Sequence, residues 1–228
     1  MQKVKSIFRR VSIFAFFLVI LLANAQAQAT IIEYSSRSAF EEAVPSALVQ
    51  DWDSYAHGTS FPYGTADNQG IEYYATITYP AGFAINGNAM VTTTYLPSTE
   101  PNGLGQTLDG FFYPVDTIRF VFPTLIRAFG IDVSTSSTAN PAYQATTNLE
   151  GVANSYYNPF PGYTAGQFIG FTSSEAFSEV TIALAPGADP YSYTLDTLRY
   201  QPVPLPGSLL LLGSGLLGLA GWRRLRKG

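Results

Sequence analysis

Between residues 30 and 201 apolar side chains recur at alternate positions in short runs, and helical periodicity is nearly absent. In Thr117 to Phe122, Ile118, Phe120 and Phe122 alternate with Thr117, Arg119 and Val121. In Glu179 to Leu184, Val180, Ile182 and Leu184 share one face. Successive strand side chains point to opposite faces, so such runs make half-buried strands. Further strands are expected at Ile31–Tyr34, Leu48–Asp53, Ile71–Tyr79, Ala89–Tyr95, Leu125–Val133, Tyr143–Val152, Gln167–Thr172 and Tyr191–Tyr200, separated by Gly, Pro, Asn and Ser. The one expected helix covers Ser38 to Val44, where Ser38 and Glu41 have capping-box spacing and Phe40 and Val44 face inward. About ten strands without crossover helices predict an all-β, antiparallel, jelly-roll-like β-sandwich. No internal repeat or long linker divides residues 30–201, which are expected to form one domain.

That domain must stand on its core alone. The 228-residue chain has no cysteine and one histidine. Disulfide staples, Cys-ligated metals, a thiol nucleophile and any two-imidazole metal site are thereby excluded. The formal charge of −4 is a sum over unlike pieces. Four basic residues fall before residue 30 and four after residue 222. The body keeps four arginines against all sixteen acidic residues, a formal charge of −12. Such a surface excludes nucleic acid as a partner, repels anionic lipid, and suits divalent cations or neutral polymers.

Both ends read as targeting segments. Residues 1–29 combine Lys3, Lys5, Arg9 and Arg10 with the apolar run Val11 to Ala23, then Ala25-Gln26-Ala27-Gln28-Ala29 with small-x-small cleavage sites. This is the pattern of a secretory signal peptide and predicts export. At the other end, Val203-Pro204-Leu205-Pro206 precedes the apolar run Leu209 to Trp222 and the cluster Arg223-Arg224-Leu225-Arg226-Lys227. Leu205 to Trp222 is 18 uncharged residues, just enough to cross a bilayer. Gly213, Gly215, Gly218 and Gly221 allow close helix–helix approach. The basic cluster stays cytoplasmic under the positive-inside rule, leaving the body outside.

The order of proline motif, Leu/Gly-rich stretch and terminal arginine cluster resembles the PEP-CTERM sorting signal of exopolysaccharide-producing Gram-negative bacteria, over residues 203–228. Leu205 stands where the usual motif has Glu. The resemblance implies processing by a membrane-embedded exosortase. It also implies an inner-membrane-anchored precursor delivered to the cell surface or extracellular matrix. The body similarly resembles the β-sandwich upstream of many such signals, through Gln50-Asp51-Trp52-Asp53, Gly58-Thr59, Ala128-Phe129-Gly130-Ile131-Asp132-Val133, Phe168-Ile169-Gly170-Phe171 and Tyr193-Thr194-Leu195-Asp196-Thr197-Leu198. Jelly-roll carbohydrate-binding modules also open on an acidic strand and close on an Asp-containing one. In resembling jelly rolls, such residues hold a structural calcium, a role the resemblance gives to Asp51, Asp53 and Asp196. By alternation Asp196 shares a face with Leu198 and Tyr200, a costly place for an unpaired carboxylate. Turn capping, or pairing with Arg199 or Arg119, would serve it equally.

No residue is singled out as catalytic. His57, in Ala56-His57-Gly58-Thr59, lacks an evident orienter and nucleophile and reads as an exposed turn residue. Asp109, Asp116, Asp132 and Glu150 offer carboxylate pairs for glycoside hydrolysis, but their spacing selects none. The aromatic supply is more specific. Trp52 and all 15 tyrosines lie in the body, and Tyr156-Tyr157-Asn158-Pro159-Phe160-Pro161-Gly162-Tyr163 concentrates rings where Pro and Gly forbid a regular strand. Tyr156, Tyr157 and Tyr163 are therefore the expected sugar-stacking residues. The expectation is a non-enzymatic surface or matrix protein associated with exopolysaccharide. A glycan-active hydrolase and a purely structural surface protein are the alternatives.

Overall fold

The computed structural model describes residues 29–79, 82–94, 101–106, 108–135, 142–157 and 166–204. The described residues form fourteen strands, all paired antiparallel, and one helix. In chain order these are β1 (Ile31–Tyr34), α1 (Arg37–Ala43), β2 (Leu48–Gln50), β3 (Ser60–Phe61), β4 (Thr65–Ala66), β5 (Glu72–Thr78), β6 (Ala84–Gly87), β7 (Ala89–Thr92), β8 (Gly103–Gln106), β9 (Thr117–Thr135), β10 (Tyr143–Thr147), β11 (Val152–Asn154), β12 (Tyr156–Tyr157), β13 (Gly166–Leu184) and β14 (Tyr193–Pro202). Alternation holds where expected: Tyr73, Ala75 and Ile77 of β5 are buried, while Glu72, Tyr74, Thr76 and Thr78 are half-buried.

Two strands of 19 residues organise everything else. β9 and β13 pair from Gly166↔Ser134 to Ile182↔Ile118, with register shifts between Thr172, Phe177 and Glu179. Opposite those shifts lie Pro123, Thr124 and Leu125. Pro123 has no N–H to give a ladder, which suits a bend. Each long strand thus serves two layers, as strands do when they turn a corner at a bulge. One layer runs β6-β5-β9-β13-β10-β11 through the 117–121 half of β9. The other runs from β1 and β12 through the opposite halves of β13 and β9 to β14, then β2 and β8, β7 and β3. The sandwich is a single hydrogen-bonded sheet folded across its two longest strands. From sequence these two strands were expected as four; the bends contain no Gly or Asn to make a turn. The expected strand Tyr143–Val152 is instead the hairpin β10–β11, turned at Glu150, whose φ is 59°.

Aromatic rings fill the space between the layers. Phe120, Phe129, Phe171 and Phe177 form a chain with centroid separations of 6.3, 5.7 and 5.5 Å. Trp52 belongs to this core rather than to the surface. It takes a left-handed φ of 60°, ends the strand expected to reach Asp53, and donates from Nε1 to the Tyr73 hydroxyl at 2.9 Å. Tyr73 in turn donates to Asp67, which also accepts from Gln50 at 2.6 Å.

A smaller cluster lies outside this folded sheet, under α1. The helix cap is Ser36, not Ser38: Ser36 Oγ accepts from the Ala39 N–H at 3.2 Å, while Ser38 bonds only to the Ser36 hydroxyl. Phe40 packs over the paired glycines Gly130 and Gly170; a Cβ on either would stand 3.1 or 3.2 Å from its ring. Arg37 clamps the helix to the sheet through both oxygens of buried Asp132, at 2.5 and 3.1 Å. Arg199 adds Glu41 at 2.8 Å and Asp132 at 3.6 Å.

Candidate functional site

At the end of the sandwich remote from the fold line, one carboxylate draws two segments together. Asp116 accepts the backbone N–H of Thr78, at the end of β5, and that of Tyr113, each at 2.8 Å. Tyr113-Pro114-Val115 is thereby held alongside Ile77-Thr78-Tyr79. Asp116 is buried, and loss of hydration raises its pKa above the usual carboxylate value despite the two donors. Gly110 makes the preceding turn at a φ of 77°; a Cβ there would lie 2.7 Å from the hydroxyls of Thr92 and Thr94.

Between these segments lies a cleft of about 350 Å³, lined by Ile77, Thr78, Tyr79, Leu108, Asp109, Tyr113, Pro114 and Val115. Tyr79 stacks on Phe83 at 4.9 Å, and Phe111 meets Tyr113 edge-on at 5.1 Å. The Tyr113 hydroxyl donates to Asp109 at 3.0 Å. Aromatic walls with a few polar groups on one side are the ordinary make-up of a small-ligand site, and the volume falls within its range. A ring whose faces are apolar and whose edges carry hydroxyls has matching chemistry. The signal in sequence was Gly110-Phe111-Phe112-Tyr113-Pro114, a ring cluster bounded by Gly and Pro that sequence reasoning did not single out.

The tyrosines expected to bind sugar lie at the same end, on the opposite lateral edge. Tyr156 and Tyr157 form β12, pairing with Phe168 and Gln167, so this part of the segment is a strand rather than an irregular loop. Tyr156 donates to Glu33, which also accepts from Asn154, and this bond raises the tyrosine pKa. Tyr157 is 64% exposed. Tyr163 lies outside the described residues.

The acidic residues are dispersed. Asp51 accepts the Asp53 N–H at 3.1 Å, and Asp53 accepts the Asn102 N–H at 3.0 Å. Asp196 is buried opposite Asp132 and accepts the adjacent Thr197 N–H at 2.7 Å. Thr197 has a φ of 47°, and β14 shifts register there, so Leu195 and Leu198 both reach the main core. Asp196 therefore does not share a face with Leu198 and Tyr200. Among the described residues no group of three or more acidic or histidine side chains is arranged to hold a metal ion. Asp51, Asp53 and Asp196 are thus not gathered as one such group. His57 is exposed.

At the C-terminus, Val203 donates its N–H to the Leu125 carbonyl at 2.8 Å and Pro204 is exposed. Leu205, Pro206, Arg223, Arg224, Arg226 and Lys227 lie outside the described residues, as does the apolar run 205–222. Among the described residues no helix is long and apolar enough to cross a membrane.

Comparison with known families matches residues 202–227 to the PEP-CTERM protein-sorting motif, as expected from the sequence. Comparison with curated proteins returns no match. Among solved structures the chain is similar to CsCBM6-3 from Clostridium stercorarium in complex with cellobiose, at 9% identity and a TM-score of 0.27, over 68% of this chain and 94% of that one. It is similar to the family 11 carbohydrate-binding module of the cellulosomal cellulase Lic26A-Cel5E of Clostridium thermocellum, at 10% identity and 0.26, over 69% and 95%. It is also similar to an exo-beta-agarase, at 12% identity and 0.26, over 66% of this chain but 26% of that one. Likenesses this distant carry no inference about what the chain binds.

Proposed function

From a chain that carries the PEP-CTERM protein-sorting motif, and is therefore an exported, membrane-anchored precursor processed at its C-terminus, we propose a non-catalytic surface protein whose sandwich holds extracellular polysaccharide. An exosortase-type enzyme processes it, and the mature protein resides at the cell surface or in the biofilm matrix. The observation that supports this reading is the cleft between Tyr79 and Tyr113, placed at the end of the sandwich away from the C-terminal exit. An anchored protein presents that end outward, where polymer is. The body's charge of −12 favours a neutral glycan over an anionic one.

Retention of the full chain, in detergent, on neutral and anionic exopolysaccharides tests the proposal. Tyr113→Ala is expected to lower retention at least about tenfold, the loss of one stacking ring and its hydrogen bond, while Tyr157→Ala leaves it intact. The reverse pattern would move the site to the β12 edge. Unchanged retention in both variants, or reducing-end release by the wild type, would refute the proposal.

A further inference from the structure

We propose that the fold-line end of the sandwich, at Leu48, Leu125 and Arg127, rests on the lipid headgroup layer in the anchored precursor. The argument begins with the length of the tether. Val203 is fixed to the Leu125 carbonyl, and only Pro204 separates it from Leu205, the first of 18 uncharged residues. A hydrocarbon core of about 30 Å takes about 20 residues to cross, and 18 uncharged ones are available. No slack remains to lift the body, so whatever flanks Val203 meets the interface.

What flanks it suits that place. Leu125, beside Val203, is 53% exposed, and Leu48, paired with Tyr200 on the other side of β14, is 48% exposed. Two strand spacings, about 10 Å, separate these two leucines laterally. Between Gln201 and Pro202 the register of β14 slips against β9, which leaves Arg127 opposite no partner and exposed. A bulge of this kind re-aims a side chain. Arg37, Arg119 and Arg199 are each paired to carboxylates; Arg127 makes no ion pair among the described residues. Among the described residues, the one arginine without a carboxylate partner thus stands at the chain exit, where a guanidinium can meet lipid phosphates. The acidic body as a whole is repelled by anionic lipid, so the contact depends on the tether and on this local cation.

The proposal rests on the membrane-anchored precursor and not on glycan binding, so the two fail separately. The absence of cysteine makes the test direct, because one introduced cysteine carries one label. The full chain is reconstituted in phosphatidylethanolamine–phosphatidylglycerol vesicles with an environment-sensitive dye at Leu48→Cys, Leu125→Cys or, at the remote end, Tyr157→Cys. Dyes at 48 and 125 are expected to shift to the blue and to be quenched by headgroup-level spin-labelled lipid, while the dye at 157 stays water-like. Arg127→Glu in the Leu48→Cys background should reduce the quenching. Far-ultraviolet circular dichroism checks each variant for folding; the Val203 bond uses the main chain of residue 125 and survives the substitution. Water-like emission at both 48 and 125, or equal shifts at all three positions, would overturn the proposal.

Discussion

Asp116 shows how a single side chain shapes the cleft. Its two backbone donors do not replace the water it loses, so its pKa is raised, with desolvation the leading cause. A carboxyl whose folded pKa lies above its unfolded value binds a proton on folding. Its contribution to stability is therefore greatest below the unfolded pKa of about 4 and falls as pH rises through the raised value. Thermal melts from pH 4 to 7 should show this falling component in the wild type and its loss in Asp116→Asn. An unchanged profile would mean that the group titrates as an exposed carboxylate. Asp196 carries the opposite lesson. Its placement follows from Thr197 at positive φ, a conformation rare for a β-branched residue, and no propensity or periodicity announces it.

At the scale of elements, Phe40 on α1 and the glycine pair of β9 and β13 form one fitted contact. A Cβ on Gly170 would meet Phe168 at 2.2 Å and Phe40 at 3.2 Å. Gly170→Ala should cost about 1–3 kcal/mol by overpacking, and Phe40→Ala about 3–5 kcal/mol by truncation. The double variant should lose less than the sum, because Phe40→Ala opens part of the space the new methyl needs. Urea denaturation of the four proteins measures the cycle, and strict additivity would show that helix and glycines are independent. Much at this scale was legible in the sequence: β1 was placed to the residue, and β5, β7 and β14 within a few residues, because alternation is local. What was not legible was the continuity of β9 and β13 through their bends, since a corner resembles a loop until the partner strand is known. The cleft was missed for a related reason. Tyr79 and Tyr113 are far apart in sequence and line one cleft because Asp116 joins two segments.

For the whole molecule, charge and anchorage act together. Sixteen acidic residues against four arginines make the body self-repelling. Any salt should therefore raise its melting temperature modestly by screening. Calcium and sodium chlorides at matched ionic strength are expected to act alike, since Asp51, Asp53 and Asp196 are not gathered. A calcium-specific rise of several degrees would restore them as a ligand set. The fold class and the sorting motif were both readable, because each rests on a pattern contiguous in the chain.

The position of β14 has a mechanical consequence. The chain leaves the sandwich from the end of this strand, which is held along its length by β9 and, near the exit, also by β2. A pull between the membrane and a polymer held at the far end runs along β14, not across it. The ladder bonds on both sides then carry the load together in shear instead of opening one after another from an edge. An attachment point at the end of a flanked strand lets the body bear tension with the same hydrogen bonds that fold it.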